Sequence, residues 1–587
     1  MTTNKGFVFF FLLFVRLKCI IYNMSTLLKK TIHGTVYYYS VESQRVPGKK
    51  HPVLVNQRCL GSASSVIQII KNARSGKESG VARLTPLGAV AALYGVAENL
   101  GLAGIIDESC PKRIQGRSVG EYLLWAAINR AAAPCAKRDL GQWVAGTAVG
   151  KRLKWDPNEI TGQRFYDHAQ RLNSEVIREI QRKLAARLVQ IYGVSTSSVA
   201  FDCTNFDTFI DSTTRGRLAK RGHAKSKRTD LRLVGLALAV STDFEIPLFH
   251  DTYPGNRPDV VSFRRNLKPL IDLHRELAPG SPITVVRDAG NNSEEADHTL
   301  DRSPIFTVGS IPPTQCKDLF DVPLKNYHRL GGRLEGVRAF RTKRDVAGLE
   351  RTLVITVSPA LKKGQRRGLD QHLAKRLRML AELSAKLAAS QKLTAKGKGY
   401  TRESLEKHAK EIIRGQHLAE VLRVTVFARG GKLMIRYRVD KEARRFLIRR
   451  VFGKRFIYTD RQDWSDEQIV QAYRSQHHVE TVFHWMKAPG AVPFGPMYHW
   501  NDTQIRVHAF VCVLAMPLAT LVRREMWKEG ICCGMLQALR MLRGIKEVTL
   551  MAPGQRKSWK TTTTELSREQ RVLWNHWNMG RWTGKCR

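Results

Sequence analysis

The sequence predicts an α/β protein. A strand-rich core is interrupted by an α+β insertion and preceded by a β-hairpin and a helical segment. Three observations carry this. Short apolar strands recur between about 196 and 310, with one amphipathic helix among them. A leucine-spaced helical stretch then intrudes between about 311 and 455. A strand and a long helix resume after it.

The elements follow in order. TVYYYSVES, a turn at PGKK and HPVLVNQRCL alternate like a β-hairpin, giving an arm over 24–80. Leu87, Val90, Ala91 and Tyr94 recur at helical spacing, as do Tyr122, Leu123, Ala126 and Asn129, so 81–195 reads as helical. SSVAFDCTNF, LRLVGLALAV and IPLFHDTYPG read as three strands, the second a continuous apolar run suited to a sheet interior. PDVVSFRRNLKPLIDLHREL is an amphipathic helix, and PITVVRDAGN and PIFTVGS are two more strands. Three strands, a helix and two strands is the layout of an RNase H-like core, with its first half at 196–310. Over 311–455 an insertion holds Leu369, Leu373, Leu377, Leu380, Leu383 and Leu387 on one seam, read as packing within a helical hairpin rather than a dimer zipper. VLRVTVFA and KLMIRYRV follow as strands. RFIYTDR and then SDEQIVQAYRSQHHVETVFHWMK, read as one long helix with Ser465 as N-cap, belong to the second half at 456–525. Residues 526–587 read as a basic tail with Trp574, Trp577 and Trp582.

Two apolar stretches lie outside this scheme. Phe7–Val15 is about half a membrane span and has no clear cleavage site after it. The preferred reading makes 1–23 an extension from an upstream start, with the working protein beginning at Met24. Val507–Val522 contains His508 and Pro517 and reads as a core helix. Ten scattered cysteines without a C-x-x-C pair argue against a zinc ribbon and suit a reducing cytoplasm.

Charge gives the first functional signal. The 587 residues carry 97 Lys and Arg against 51 Asp and Glu, a net charge of +46. Self-repulsion of that size is of no use to an enzyme of small molecules. It suits a polyanion-binding protein, because each neutralised phosphate releases counterions. The basic residues run along the whole chain, which suggests a long nucleic-acid track, and a DNA enzyme and a structural RNA-binding protein both fit.

The acids narrow the choice. Asp202 and Asp288 stand at what read as strand ends, and Glu480 lies on a helix far downstream. Carboxylates gathered at a sheet rim repel one another unless a cation lies between them. Such a set suits two hard divalent ions for phosphoryl transfer. His223, His250, His477 and His478 lack the spacing of a zinc site. Trp485 reads either as a stacking platform for a displaced base or as a packing residue.

Around these acids the chain resembles the DDE insertion-sequence transposases. Tyr473, Glu480 and Lys487 match the spacing of the helix signature, Tyr–Arg–Glu–Lys, that surrounds the third acid in one group of them. Gln476 stands where that group has Arg, with Arg474 two positions earlier. Phe201-Asp202-x-Thr204, Gly222-His223-x-Lys225, Asp288-x-Gly290, Phe306-x-x-Gly309-Ser310 and Pro496-x-x-His499 are similar to the same group, over about 36–525. The resemblance implies that Asp202, Asp288 and Glu480 ligate two Mg²⁺ ions, with Mn²⁺ able to substitute. It implies that Tyr473, Arg474, Lys487, His223 and Lys225 contact DNA, and that 81–195 binds DNA. On one helix, Tyr473, Glu480 and Lys487 fall two turns apart and share a face. The implied activity is cleavage of double-stranded DNA at an element's terminal inverted repeats and joining of the 3′-hydroxyl to target DNA. A homodimer on paired ends, a cytoplasmic, nucleoid-associated location and no membrane role go with it. A nuclease without strand transfer and a non-catalytic DNA-binding descendant are the alternatives.

Overall fold

The computed structural model describes residues 24–32, 35–44, 51, 53–62, 66–67, 81–111, 116–211, 213–391, 400–551 and 558–584. Phe7–Val15, the PGKK turn and most of KLTAKGKGYT lie outside the described residues. The chain divides into two compact units. One holds the residues up to Thr85 with Lys546–Glu565 and Thr583–Arg587, and the other holds Pro86–Ile545 with Leu566–Trp582.

In the first unit, β1 (Met24–Ile32), β2 (Thr35–Gln44) and β3 (Val53–Ser62) form an antiparallel meander. The hairpin read from the sequence is its second half, and MSTLLKKTI supplies the strand before it. β4 (Val81–Pro86) belongs to a further three-stranded sheet.

The second unit is built on nine strands: β5 (Ser198–Thr208), β6 (Arg232–Ser241), β7 (Pro247–Pro254), β8 (Ile283–Arg287), β9 (Ile305–Ser310), β10 (His328–Arg329), β11 (Arg338–Val346), β12 (Leu349–Val357) and, after the β13 (Leu422–Arg429) and β14 (Lys432–Val439) hairpin, β15 (Lys454–Thr459). Their order is β10-β11-β12-β15-β9-β8-β5-β6-β7. β8 is parallel to both β5 and β9, and the other neighbours are antiparallel. The protein is thus mixed α/β with a large mixed sheet. β8 is buried throughout and β6 at every residue after Arg232, as continuous apolar strands covered on both faces must be. The insertion does not stand apart from this sheet. RAFRTKRDV and LERTLVITV, absent from the strands expected above, form β11 and β12, and β12 pairs with β15 to extend the sheet beyond β9.

The helices between 88 and 192 share one hydrophobic core with β5–β7 and with helix Asp502–Lys528. Val119–Ala132 starts on a capping box between Ser118 and Glu121 and buries Tyr122 and Trp125. Asp502–Lys528 is long and apolar enough to cross a membrane, yet 94% of its apolar window is buried inside the fold. A helix apolar on all sides takes that central place. The leucine seam packs internally: Leu369, Leu373, Leu380, Leu383 and Leu387 on helix Pro359–Ser390 meet Leu405, Ile412, Leu418 and Val421. The C-terminal region is folded rather than a tail. β16 (Lys546–Met551) and β17 (Ser558–Thr563) complete the β4 sheet of the first unit. In the second unit Leu573, Met579 and Trp582 are buried, and Trp582 meets Tyr94 edge to face at 5.4 Å.

Candidate active site

Asp202 is not at a strand end. It lies in the middle of β5, half-buried, and β5 runs on to Thr208. What ends there is the parallel pairing, since Phe201 is opposite Arg287, the last residue of β8. Asp202 and Asp288 are therefore the next residue on each of two adjacent strands. Asp288 follows β8 directly and caps a short helical turn, its carboxylate accepting from Ala289 N–H at 2.8 Å.

A buried device sets the end of β8. The Arg287 guanidinium has no exposure and pairs with the buried Asp297 carboxylate. It also donates to Tyr458 Oη at 2.6 Å and to the Asn291 carbonyl at 3.0 Å. The Tyr458 ring can cross β9 only because residue 309 is glycine; a Cβ there would stand 2.6 Å from the ring. The Phe306-x-x-Gly309 pattern thus gains a structural reason.

Glu480 reaches the same region, but the long helix is broken. Asp466–Arg474 starts at Ser465 through a capping box with Gln468, and His477–Lys487 is a separate helix. At the junction Gln476 turns inward and donates from Nε2 to the Phe201 carbonyl at 3.1 Å. Tyr473 and Glu480 are thus on two helices, and the single face expected for Tyr473, Glu480 and Lys487 does not exist. Two of the three still share a wall. Asp288, Tyr473, Arg474, Gln476, His477 and Glu480 line one recess of about 490 Å³, together with Thr356 and Ser358 at the end of β12, Arg455 and Ile457 on β15, Leu361 and Val470. The Arg455 guanidinium lies 5.5 Å from the Tyr473 ring centre.

Asp202 belongs to an adjoining cluster. Burial pushes its carboxyl up to about 6; Lys225 opposes the shift, and Asp259 and Asp288 add to it. Lys225 bonds the Cys203 carbonyl and lies 3.5 Å from Asp259. Lys487 Nζ donates to Thr204 Oγ1 at 2.7 Å, and burial, with Lys225 next, holds its ammonium below the ordinary lysine value. Asn205 fixes the Lys225 loop, giving its amide N–H to the His223 carbonyl at 2.9 Å and accepting from Lys225 N–H at 3.1 Å. The His223 ring is exposed, and only its backbone takes part in that contact.

The expected acids are thus carried to neighbouring places by β5, β8 and one helix. Among the described residues, however, no three His, Cys, Asp or Glu side chains converge closely enough to hold an ion as they stand. Glu480 is exposed, and Asp288 is tied to its own turn. In kind the donors suit a hard divalent cation: they are carboxylates, and like-charged neighbours add to the shift on Asp202, a strain that a cation beside them relieves.

The other residues singled out in the sequence have structural places. Trp485 is buried under the Arg523 guanidinium at 4.8 Å, so it packs. The His478 ring shares a hydrogen bond of 2.9 Å with Glu245, and His250 is buried against Gln181. Sequence reasoning missed Arg287, Asp259, Arg455 and the inward role of Gln476. Only the apolar patterns of β12 and β15 could have pointed to the part of the wall that carries Arg455.

No family model matches the chain, and no curated protein matches it. Among solved structures it is similar to a piggyBac transposase synaptic complex with hairpin DNA, at 10% identity, over 79% of this chain and 82% of that chain, with a TM-score of 0.32. A likeness of that size bears on neither fold nor function.

Proposed function

We propose that the chain is a DDE-type DNA transposase with an RNase H-like core. It cleaves DNA at the ends of a mobile element and joins the freed 3′-hydroxyl to target DNA. The observation that carries this is the register of β5 and β8, which puts Asp202 and Asp288 side by side, with Glu480 on the wall of the recess that Asp288 also lines. The strand order β7-β6-β5-β8-β9, a meander followed by two parallel strands, supports the RNase H-like reading. Asp202, Asp288 and Glu480 would hold Mg²⁺. The chemistry such ions supply when bound is activation of a nucleophilic oxygen and stabilisation of the leaving oxygen.

The chain's own residues do the positioning. Lys225 and Lys487 set two cations near Asp202, where a scissile phosphate would meet them. Arg474, His477 and Arg455 line the recess and suit an approaching phosphate backbone. Arg287 and Gln476 fix the neighbouring strands through buried hydrogen bonds. A homodimer on paired ends is part of the same proposal.

The test uses a duplex carrying the DNA that flanks this reading frame, with Mg²⁺. The parent should cut it and join a pre-cut 3′-hydroxyl end. Asp202→Ala, Asp288→Ala and Glu480→Ala should each abolish cutting. Variants that cut as well as the parent sink the assignment, and cutting without joining favours a nuclease.

A further inference from the structure

A second basic recess lies along β7, the edge strand of the sheet. It measures about 500 Å³ and is walled by Arg178, Arg217, Arg257, Arg265 and Arg506 around the half-buried Asp251. The five arginines come from four separate segments: helix Ser174–Tyr192, the loop before β6, the stretch from β7 into helix Asp259–Leu277, and helix Asp502–Lys528. Among the described residues, none of the five guanidiniums is within ion-pair distance of a carboxylate, although the chain forms such pairs widely elsewhere. Asp251 attracts Arg257, Arg178 and Arg506 without closing an ion pair with any of them, Arg265 repels Arg257, and a polyanion relieves that repulsion. Arginine's planar fork suits phosphate oxygens, which it can bind in pairs.

The surroundings select nucleic acid from among phosphate ligands. Arg217 N–H and Leu218 N–H bond the Asp502 carboxylate at 2.9 and 3.1 Å, so the Arg217 loop is docked next to the segment that carries Tyr498 and Trp500. Those two aromatics are 64% and 63% exposed, unlike most large rings, which folding buries. Phe209, also exposed, lies 5.9 Å from the Tyr498 ring, and its N–H bonds the Met497 carbonyl at 2.9 Å. Exposed rings beside a basic groove are the arrangement that stacks unpaired bases while a backbone is held by charge. A lone phosphate needs no such platform.

We propose that the arginine recess holds the phosphodiester backbone of a nucleic-acid strand at a place separate from the acids, with Tyr498 and Trp500 stacking its unpaired bases. The recess shares no lining residue with the one that Asp288 and Glu480 line, and β6 separates β7 from β5, which carries Asp202. The inference rests on the proposed function only for nucleic acid as the polyanion.

The test is fluorescence anisotropy of the full chain with a fluorescein-labelled single strand of about 30 nucleotides, in EDTA, across a range of chloride concentrations. The combined Arg217→Ala, Arg257→Ala and Arg265→Ala variant should bind about tenfold or more weakly, with a dependence on log salt shallower by about 0.7 for each phosphate it no longer neutralises. The matching Arg→Lys variant should restore the slope but not the full affinity. Trp500→Ala should weaken binding about fivefold or more with the slope unchanged. Unchanged affinity and slope in the alanine variant overturn the proposal. So does complete competition by about 10 mM phosphate at matched ionic strength, which would mark a free-anion site. Should the alanine variant melt early, the lysine variant decides. Because EDTA removes divalent ions, binding here is read apart from cleavage: a chain that binds in EDTA yet never cleaves when Mg²⁺ is supplied defeats the proposed function and leaves this inference standing.

Discussion

Next to Asp288, the buried Arg287 guanidinium and the Asp297 carboxylate form a pair almost wholly shut off from solvent. Removing one partner strands the other. Arg287→Leu should therefore cost about 3–5 kcal/mol in denaturant unfolding, far more than the removal of a surface pair. Lys137 shows the converse. It is buried with no hydrogen-bond partner among the described residues, and burial, then the nearby Arg130, lowers its ammonium to about 8 from 10.5. Between those values the unfolded chain binds more protons than the folded one, so stability rises with pH across that window. Lys137→Met should stabilise the protein at pH 7 by on the order of 1–3 kcal/mol and flatten that rise, as read from unfolding midpoints at several pH values. At this scale the sequence is partly legible. Asp202, Asp288 and Glu480 stand out by their neighbours. Arg287 does not, because a basic residue inside an apolar strand gives no sign of which distant carboxylate it meets. Gln476 stands out only as a departure from a pattern, and its inward turn depends on where β5 lies.

Elements are legible where one pattern governs them. β5, β6, β7, β8 and β9 follow the apolar runs, and Ser465 caps its helix as the sequence predicts. The break after Arg474 is not legible, since Ser475 and Gln476 carry no Pro or Gly signal and the cause is a tertiary bond to the Phe201 carbonyl. Gln476→Ala removes the buried hydrogen bond to the Phe201 carbonyl and should cost about 0.5–1.5 kcal/mol, whereas the exposed Arg474 should be replaceable by Ala with stability unchanged, both read from denaturant unfolding. The leucine seam makes a clearer test. Leu380 is fully buried within its own chain. Leu380→Ala should cost about 2–5 kcal/mol in unfolding while sedimentation shows the same oligomeric state as the parent. A change of oligomer would mean that the seam pairs chains after all.

At the scale of the whole molecule, a net charge of +46 sits on a fold whose central sheet mixes strands from both sides of a long insertion. That long-range pairing is what sequence order hides: β15 joins β9 from across the insertion and brings Arg455 to the recess that Glu480 lines. On the proposed function, Asp202, Asp288 and Glu480 form one metal centre. Manganese binding to the full chain, followed by electron paramagnetic resonance of free Mn²⁺, tests it without knowledge of any DNA sequence. The parent should bind Mn²⁺ in competition with Mg²⁺, and Asp202→Asn, Asp288→Asn and Glu480→Gln should each weaken binding by about an order of magnitude, because affinity follows the number of charged ligands. Equal binding by the parent and all three variants, or no binding by the parent, would contradict the claim.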